Sequence, residues 1–552
     1  MPRLCGSAET KGRRSPRVHW CRCVFLFAFL IVVGCGAQHY RESADREAYR
    51  IIERKQKEAF GEARPFSVEP PTQDRLTEAY RQAAEGRGGE EKSLLLTLPL
   101  ALEIAAKYSR SYQTQKEVLY LAALDLSLTR FQYRPHLAET LKGQYRRTDA
   151  DEEVEGDSAF SISQLLATGG TIGLSLTTDL LRFLTGDPRQ VASSQLAVSL
   201  TQPLWRGAGW RIAQENLTQA ERDAIYALRS FERFRQSFAV NVASSFYRAL
   251  QQRDAVRNAE NHYRTLARSR ERAEALAEAG RLPSFQVDQA KQDELSARDR
   301  WQRTRERYAD ILDDLKIQLG IPVDVPIALD EDEISRLRQA RLKAPKMTLE
   351  EALELAPHHR LDFLTVVDRV ADAERKVEVA RNGLSPDLDL NLGATVATEA
   401  NKPFRFRSDT AVRTAGLGLN LPINRKAERN AYRAALIRLE QSRREQAQAQ
   451  DELKRDVRRA WRRLDEARES YRIQEQSVAL AQRRVESVSL LLEAGRASTR
   501  DLLEAQNALL SAQDALTAAL VDYRLALLEL WRDTGLLRVD ERGIWQGEVQ
   551  DE

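Results

Sequence analysis

Asp501 and Glu504 stand three residues apart in a helix-prone stretch, so a helix places both on one face. Repeated by symmetry around an aperture, such a pair makes an acidic ring that favours cations and binds divalent or polycationic blockers. On a lone helix it is a solvated face, an ordinary feature in a chain with 82 acids. Gly280-Arg281 and Gly495-Arg496 form a second recurring element. Glycine permits the positive φ of a tight helix-to-helix turn, so these pairs read as docking tips or as turn chemistry alone. Cys35 ends the run Val32-Val33-Gly34-Cys35, in which small residues precede a cysteine as in a bacterial lipobox. It is read as a lipidation site, the alternative being an ordinary signal peptide with an incidental cysteine.

Catalytic constellations are missing from the sequence. No Walker-type phosphate loop occurs, and Gly169-Gly170-x-x-Gly173 lies in strand-like sequence instead of opening a helix. His358 and His359 are adjacent, so on a helix they point about 100° apart and cannot share a metal as an i, i+4 pair would. Beyond carboxylates, the mature chain adds only His39, His136, His262, Met347 and Cys35 as potential ligands. No enzyme activity, no metal and no cofactor is expected.

The elements that must position these residues follow from composition and period. Of the 552 residues, 30% are charged, and there are only 26 Gly and 17 Pro. Leu, Ala, Arg, Glu and Gln dominate the second half, the profile of long helices. A mean hydropathy of −0.52 excludes a polytopic helical membrane protein. A net charge of +3 excludes a strongly basic nucleic-acid binder. The four cysteines all fall within the first 35 residues, which leaves no disulfide scaffold or cysteine-based zinc site downstream.

Arg13, Arg14, Arg17 and Arg22 precede an apolar run from Cys23 to Gly34. Its twelve residues are too few to span a bilayer, which takes about 20, but suit a signal-peptide core. Removing residues 1–34 takes away Arg3, Lys11, Arg13, Arg14, Arg17 and Arg22 with one acid, Glu9, and turns the net charge of +3 into −2. The mature body is near neutral and exported.

The chain is a repeat. Thr97-Leu98-Pro99-Leu100-Ala101-Leu102-Glu103 recurs 251 residues on as Thr348-Leu349-Glu350-Glu351-Ala352-Leu353-Glu354, and the same offset carries Pro135 onto Pro386. Leu200-Thr201-Gln202-Pro203-Leu204 recurs 219 residues on as Leu419-Asn420-Leu421-Pro422-Ile423, and Glu278-Ala279-Gly280-Arg281 recurs 215 on as Glu493-Ala494-Gly495-Arg496. Copy one is therefore 32 residues longer between its two prolines. Pro135, Pro203, Pro386 and Pro422 each mark a switch between helical and strand periodicity, because proline neither continues a helix nor donates to a sheet ladder.

Leu502, Leu509, Leu516, Tyr523 and Leu530 recur every seventh residue, with Ala505, Ala512, Ala519 and Ala526 three places later. This is a heptad seam whose alanine row lets a neighbouring helix approach closely. Tyr471, Val478, Val485 and Leu492 form another such row. Period two marks Leu388-Leu390-Leu392 and Leu417-Leu419-Leu421, and in copy one Ile172-Leu174-Leu176 and Leu196-Val198-Leu200. Helices are predicted over Thr97–Tyr133 and Ser284–Leu319, each about 55 Å long at 1.5 Å per residue, and a helix of about 110 Å over Gly207–Ala279. Copy two repeats this with Thr348–Leu384, Arg425–Ala494 and Ala497–Thr534. Two short helices end to end match one long one, giving hairpins closed at the Gly-Arg breaks. The strands, two in copy two and two to four in copy one, are too few to close a membrane barrel within one chain. Several chains must pool them, with their helices pooled into a tube below.

This combination resembles the TolC-type outer-membrane efflux family over about Leu96 to Leu537. Its most specific carriers are Ser199-Leu200-Thr201-Gln202-Pro203-Leu204 and the second tip, Glu493 to Gln506. Family members typically place an acid six residues after the tip Gly and often another three later, as Asp501 and Glu504 stand here. In copy one the matching place is Gln286, with Asp288 nearby, and Leu492 and Ala497 occupy positions that lock the tip in some relatives. The resemblance implies a homotrimer with a twelve-stranded barrel in the outer membrane above a helical barrel in the periplasm. It would be a passive exit duct docked to a periplasmic adaptor and an inner-membrane pump, with no nucleic acid among its partners. Alternatives are a duct for type I protein secretion and a non-pore periplasmic coiled-coil scaffold lipoprotein.

The fold class expected is thus mixed α and β: two repeats forming a helical coiled-coil barrel continued into a trimer-shared transmembrane β-barrel. The boundaries are a signal at 1–34, a lipidated periplasmic segment at 35–95, repeats at 96–330 and 346–537, and a polar, disordered tail at 538–552. The extra residues around 158–180 read as an added barrel hairpin or as an extracellular loop.

Overall fold

The computed structural model describes residues 36–69, 93–148, 152–184, 190–330, 332–339, 345–399, 401–540 and 542–546. The expected signal segment and Cys35 lie outside these. The N-terminal helix α1 spans Ala37–Phe60. Repeat one then runs β1 (Leu94–Leu96), α2 (Leu98–Tyr108), α3 (Arg110–Phe131), β2 (His136–Arg147), β3 (Glu152–Leu165), β4 (Thr171–Phe183), β5 (Gln190–Pro203), the single turn α4 (Trp210–Ala213), α5 (Glu215–Glu278) and α6 (Ser284–Leu319). A link of β6 (Ile327–Leu329) and α7 (Asp332–Gln339) leads to repeat two: α8 (Leu349–His359), α9 (Leu361–Asn382), β7 (Asp387–Ala397), β8 (Val412–Asn420), α10 (Lys426–Glu493) and α11 (Thr499–Thr534). The chain closes with β9 (Arg538–Val539) and β10 (Trp545–Gln546).

The two repeats start their helices by different chemistry. Thr348 accepts from the Glu351 amide while Glu351 accepts from the Thr348 amide, a capping box that satisfies two helix-end donors. Its counterpart Thr97 makes no side-chain cap, and Pro99 stands in the first turn, where a missing N–H costs nothing.

Each predicted first helix is broken in the structure, at Ser109 and at Arg360, where ψ opens to 129° and 106°. The cause is the C-terminal end of the return helix. Gly320 and Gly535, both at φ 78°, end α6 and α11 in the left-handed conformation. A Cβ on Gly320 would overlap the Tyr108 carbonyl, and one on Gly535 would stand 2.7 Å from the carbonyl carbon of His359. Backbone meets backbone here, and only glycine allows it. In both repeats the short helices therefore abut at the same level against the continuous long one.

The long helix α5 packs against α3, α6, α9 and α11, while α10 packs against α9 and α11. The main core includes Phe246, Leu250 and Val242 from α5, Ile51 and Ile52 from α1, and Leu520 and Leu528 from α11. Leu537, Val539 and Trp545 join it. Residues 538–546, expected to be disordered, instead form a two-stranded hairpin, held by Arg235 and Gln236 side chains donating to the Val539 and Leu537 carbonyls at 3.2 and 2.9 Å. Two-residue strands are too short to show a period in sequence.

All six long strands form one antiparallel sheet in the order β2-β3-β4-β5-β7-β8. The twelve-stranded expectation assigned four strands to each chain; the structure places six in the sheet. Residues 158–180 fall within β3 and β4 and the turn between them, so they are sheet strands and not a long loop.

Candidate functional site

The sheet sorts its side chains by face. Directly paired residues share a face, so one row runs Leu137, Ile162, Leu174, Val198 and Ala394 across five strands. The next row, one pleat away on the opposite face, holds Ala138, Ser161, Ser175, Ala197 and Thr395. The apolar face continues through Leu392, Leu390 and Leu417, and the other through Asn391, Gly416 and Gly418. Apolar side chains on one face and small polar ones on the other suit a wall between hydrocarbon and water. No helix among the described residues is long and apolar enough to cross a membrane.

Among the described residues, β2 and β8 are paired on one side only. Their side chains are exposed, Leu141 and Leu417 at 66% and 70%. The helices show the same two edges. β2 continues from α3, which exposes Leu121 and Leu128; β8 leads into α10, which exposes Ile473 and Leu480. Each of these apolar pairs is seven residues apart, the spacing of a packing seam.

The prolines stand where strands and helices join: Pro135 precedes β2, Pro203 ends β5, Pro386 precedes β7, and Pro422 follows β8. Trp205 and Trp210 sit exposed beside these joints, and amphipathic rings of this kind collect at membrane–water interfaces. The sequence reading missed them; indoles just past Pro203 were the available signal.

At the opposite end both tips adopt one geometry. Gly280 has φ 68° and Gly495 φ 70°. Gly280 N–H donates to Ala277 at 2.9 Å and Arg281 N–H to Leu276 at 2.8 Å; Gly495 and Arg496 do the same to Leu492 and Leu491 at 3.0 and 2.8 Å. This is the Schellman motif, and it satisfies the last helical carbonyls. The following helices start differently. Pro283 precedes α6 with no side-chain cap, whereas Ser498 caps α11 in a box with Asp501.

Asp501 is thus engaged. Its carboxylate accepts from Ser498 N–H at 2.8 Å and Ser498 Oγ at 2.6 Å, and these hydrogen bonds hold it below the usual carboxylate range. Glu504 is exposed and pairs with Arg484 at 2.8 Å. Between the tips lies an open groove of about 1050 Å³, lined by Arg268, Arg272, Arg281 and Arg496 together with Glu493 and Asp501. Arg272 and Glu493 meet across it at 3.5 Å. Leu492 and Ala497 also line it. His358 and His359 end α8, and His359 serves through its backbone against Gly535. Among the described residues no three His, Cys, Asp or Glu side chains gather as a metal cage requires.

Comparison with known proteins places this geometry. Residues 352–536 match the family model described as outer membrane efflux protein. Outer membrane efflux protein BepC of Brucella suis biovar 1 is 31% identical over 138 residues, which span 25% of this chain and 30% of that relative. The outer membrane protein VceC of Vibrio cholerae superposes with a TM-score of 0.58 at 16% identity, covering 79% of this chain and 96% of VceC. The CmeC outer membrane channel of Campylobacter jejuni gives 0.57 at 14% identity, covering 85% and 93%. In fold along most of its length, and in sequence through its second repeat, the chain resembles the outer-membrane efflux proteins.

Proposed function

We propose, from that kinship, that the protein is the outer-membrane exit duct of a tripartite efflux or secretion system. Three copies close one β-barrel and one helical tube, and substrates pass passively outward from a periplasmic adaptor and an inner-membrane pump. The observation that carries this reading is the two-faced sheet with both of its edges open. A strand edge in lipid leaves backbone groups unsatisfied, so the sheet must close, and six strands close with copies of themselves. The β2–α3 edge of one chain meets the β8–α10 edge of the next, a head-to-tail contact that makes a ring. Cys35 carries a lipid anchor, the groove between the Gly280-Arg281 and Gly495-Arg496 tips seats the adaptor, and the chain performs no catalysis in this role.

The test is purification in detergent followed by planar-bilayer recording. A trimer that conducts is expected; a non-conducting monomer would return the protein to the scaffold reading. A photo-crosslinker at Ala497 in living cells should capture a periplasmic adaptor, identified by mass spectrometry.

Asp501 and Glu504 would form the acidic ring at the aperture. Because Asp501 also caps α11, the ring is tested with Asp501→Asn and Glu504→Gln, which keep the cap acceptor and the size of both side chains. Cation selectivity should fall, and an unchanged reversal potential would remove the ring from the mechanism.

A further inference from the structure

The two strands that copy one adds between its prolines are built as wall. β3 and β4 carry the same division as their neighbours: Phe160, Ile162, Leu174 and Leu176 on the apolar face, Ser161 and Ser175 on the other. They lie between β2 and β5 and separate them. Their turn is fastened to the rim where strands meet helices. Gly209 N–H donates to the Thr168 carbonyl at 3.1 Å, and Thr168 Oγ1 donates to Gln202 Oε1 at 2.7 Å. Gly169, at φ 89°, passes so close to the Gly207 carbonyl that a Cβ would overlap it. A hairpin that hung outside the membrane or plugged the lumen would need neither the face pattern nor this attachment.

We propose that the assembled barrel has eighteen strands, and that its bore matches that of the helical tube beneath it. The inference rests on the trimeric duct proposed above. At every level of the helical part a chain offers four helices: α3, α5, α9 and α10 above the equatorial breaks, α5, α6, α10 and α11 below. Twelve helices spaced about 8–10 Å apart give a ring of about 96–120 Å. A strand takes about 4.8 Å across the ladder, or about 6.3 Å of circumference at a tilt of about 40°. Eighteen strands then give about 113 Å, within the range of the helical ring, whereas twelve would give about 75 Å.

An eighteen-stranded barrel therefore continues the tube without narrowing. The face opposite the apolar rows carries Ser, Thr, Gly and Asn together with Glu153, Glu155, Asp157 and Asp179, and its one apolar cross-strand pair in β4–β5 is Leu181 with Val191.

Cysteine pairs test the placement, since Cys35 is the sole native thiol after residue 34. Ser175 and Ala197 are direct cross-strand partners within disulfide reach. Ala138 shares their row but lies three strand spacings from Ala197, about 14 Å, too far to bridge. We expect Ser175→Cys with Ala197→Cys to crosslink in the purified trimer, Ala138→Cys with Ala197→Cys to stay reduced, and electron microscopy of that trimer to resolve eighteen strands. A trimer in which the Ala138–Ala197 pair crosslinks, or that shows twelve strands, overturns this proposal and leaves the duct intact. Absence of a trimer overturns both.

Discussion

The two ends of each helical hairpin use the same device for opposite purposes. Gly280 and Gly495 at the tips, and Gly320 and Gly535 at the equator, all stop a helix in the left-handed conformation with the same pair of closing hydrogen bonds. At the tips nothing lies within 4 Å of where a Cβ would stand. At the equator that space is filled by the backbone of the neighbouring helix junction. Local chemistry is therefore identical, and surroundings decide its role. The equator is fixed against its own chain, and the tip glycines meet no such neighbour.

Substitution to alanine should break this equivalence. Gly320→Ala and Gly535→Ala combine the strain of positive φ, about 1–2 kcal/mol, with a backbone clash worth a further 1–3 kcal/mol or so. Denaturant unfolding should show the largest loss in the set. Gly280→Ala and Gly495→Ala should each cost only the strain, about 1–2 kcal/mol, and by equal amounts. A tip variant as damaging as an equatorial one would mean the tips are packed against something in the assembly.

The tips themselves differ in how the next helix starts, and smaller effects should expose that. Ser498→Ala removes a cap acceptor and should cost about 1 kcal/mol, whereas Ser284→Ala at the first tip, where Pro283 takes the cap position, should cost much less. Acid should act on the second tip alone. The Asp501 carboxyl is held below its unfolded value, so its contribution is complete above the usual carboxylate range and is lost as pH falls through the depressed value. Amide exchange at Ser498 and Asp501 should accelerate on acidification relative to Ser284 and Gln286. Equal acceleration at both tips would remove the capping box as the cause.

Much of this was legible in sequence because it was written twice. The repeat offsets locate the tips and the proline junctions, and each proline stands within two residues of a strand end. The same 215-residue offset carries Gly320 onto Gly535, but a single glycine after a heptad run looks like an ordinary helix stop. Its closeness to the first helix is a tertiary fact. The strand count was harder. Acids are rare in strands, and β3 opens on Glu153, Glu155 and Asp157. They lie on the face opposite the apolar rows, and Arg146 of β2 pairs with Glu153 at 3.0 Å. Alternation was present, but charge hid it. The equatorial strands β1 and β6, three residues each and parallel, carry too few residues for any period to register.

The small C-terminal hairpin bears on how the chain is made. The core around Phe246 includes Ile51 and Ile52 from near the start of the described chain and Val539 and Trp545 from its end. Arg64, just after α1, donates to the Val539 carbonyl at 3.0 Å, and Arg235 of α5 donates to the same oxygen. Contacts so distant in sequence form late, because the whole intervening loop must be ordered first. The first repeat thus cannot complete its interior while the ribosome is still working on the second. A chain cut short before Val539 lacks these closing contacts.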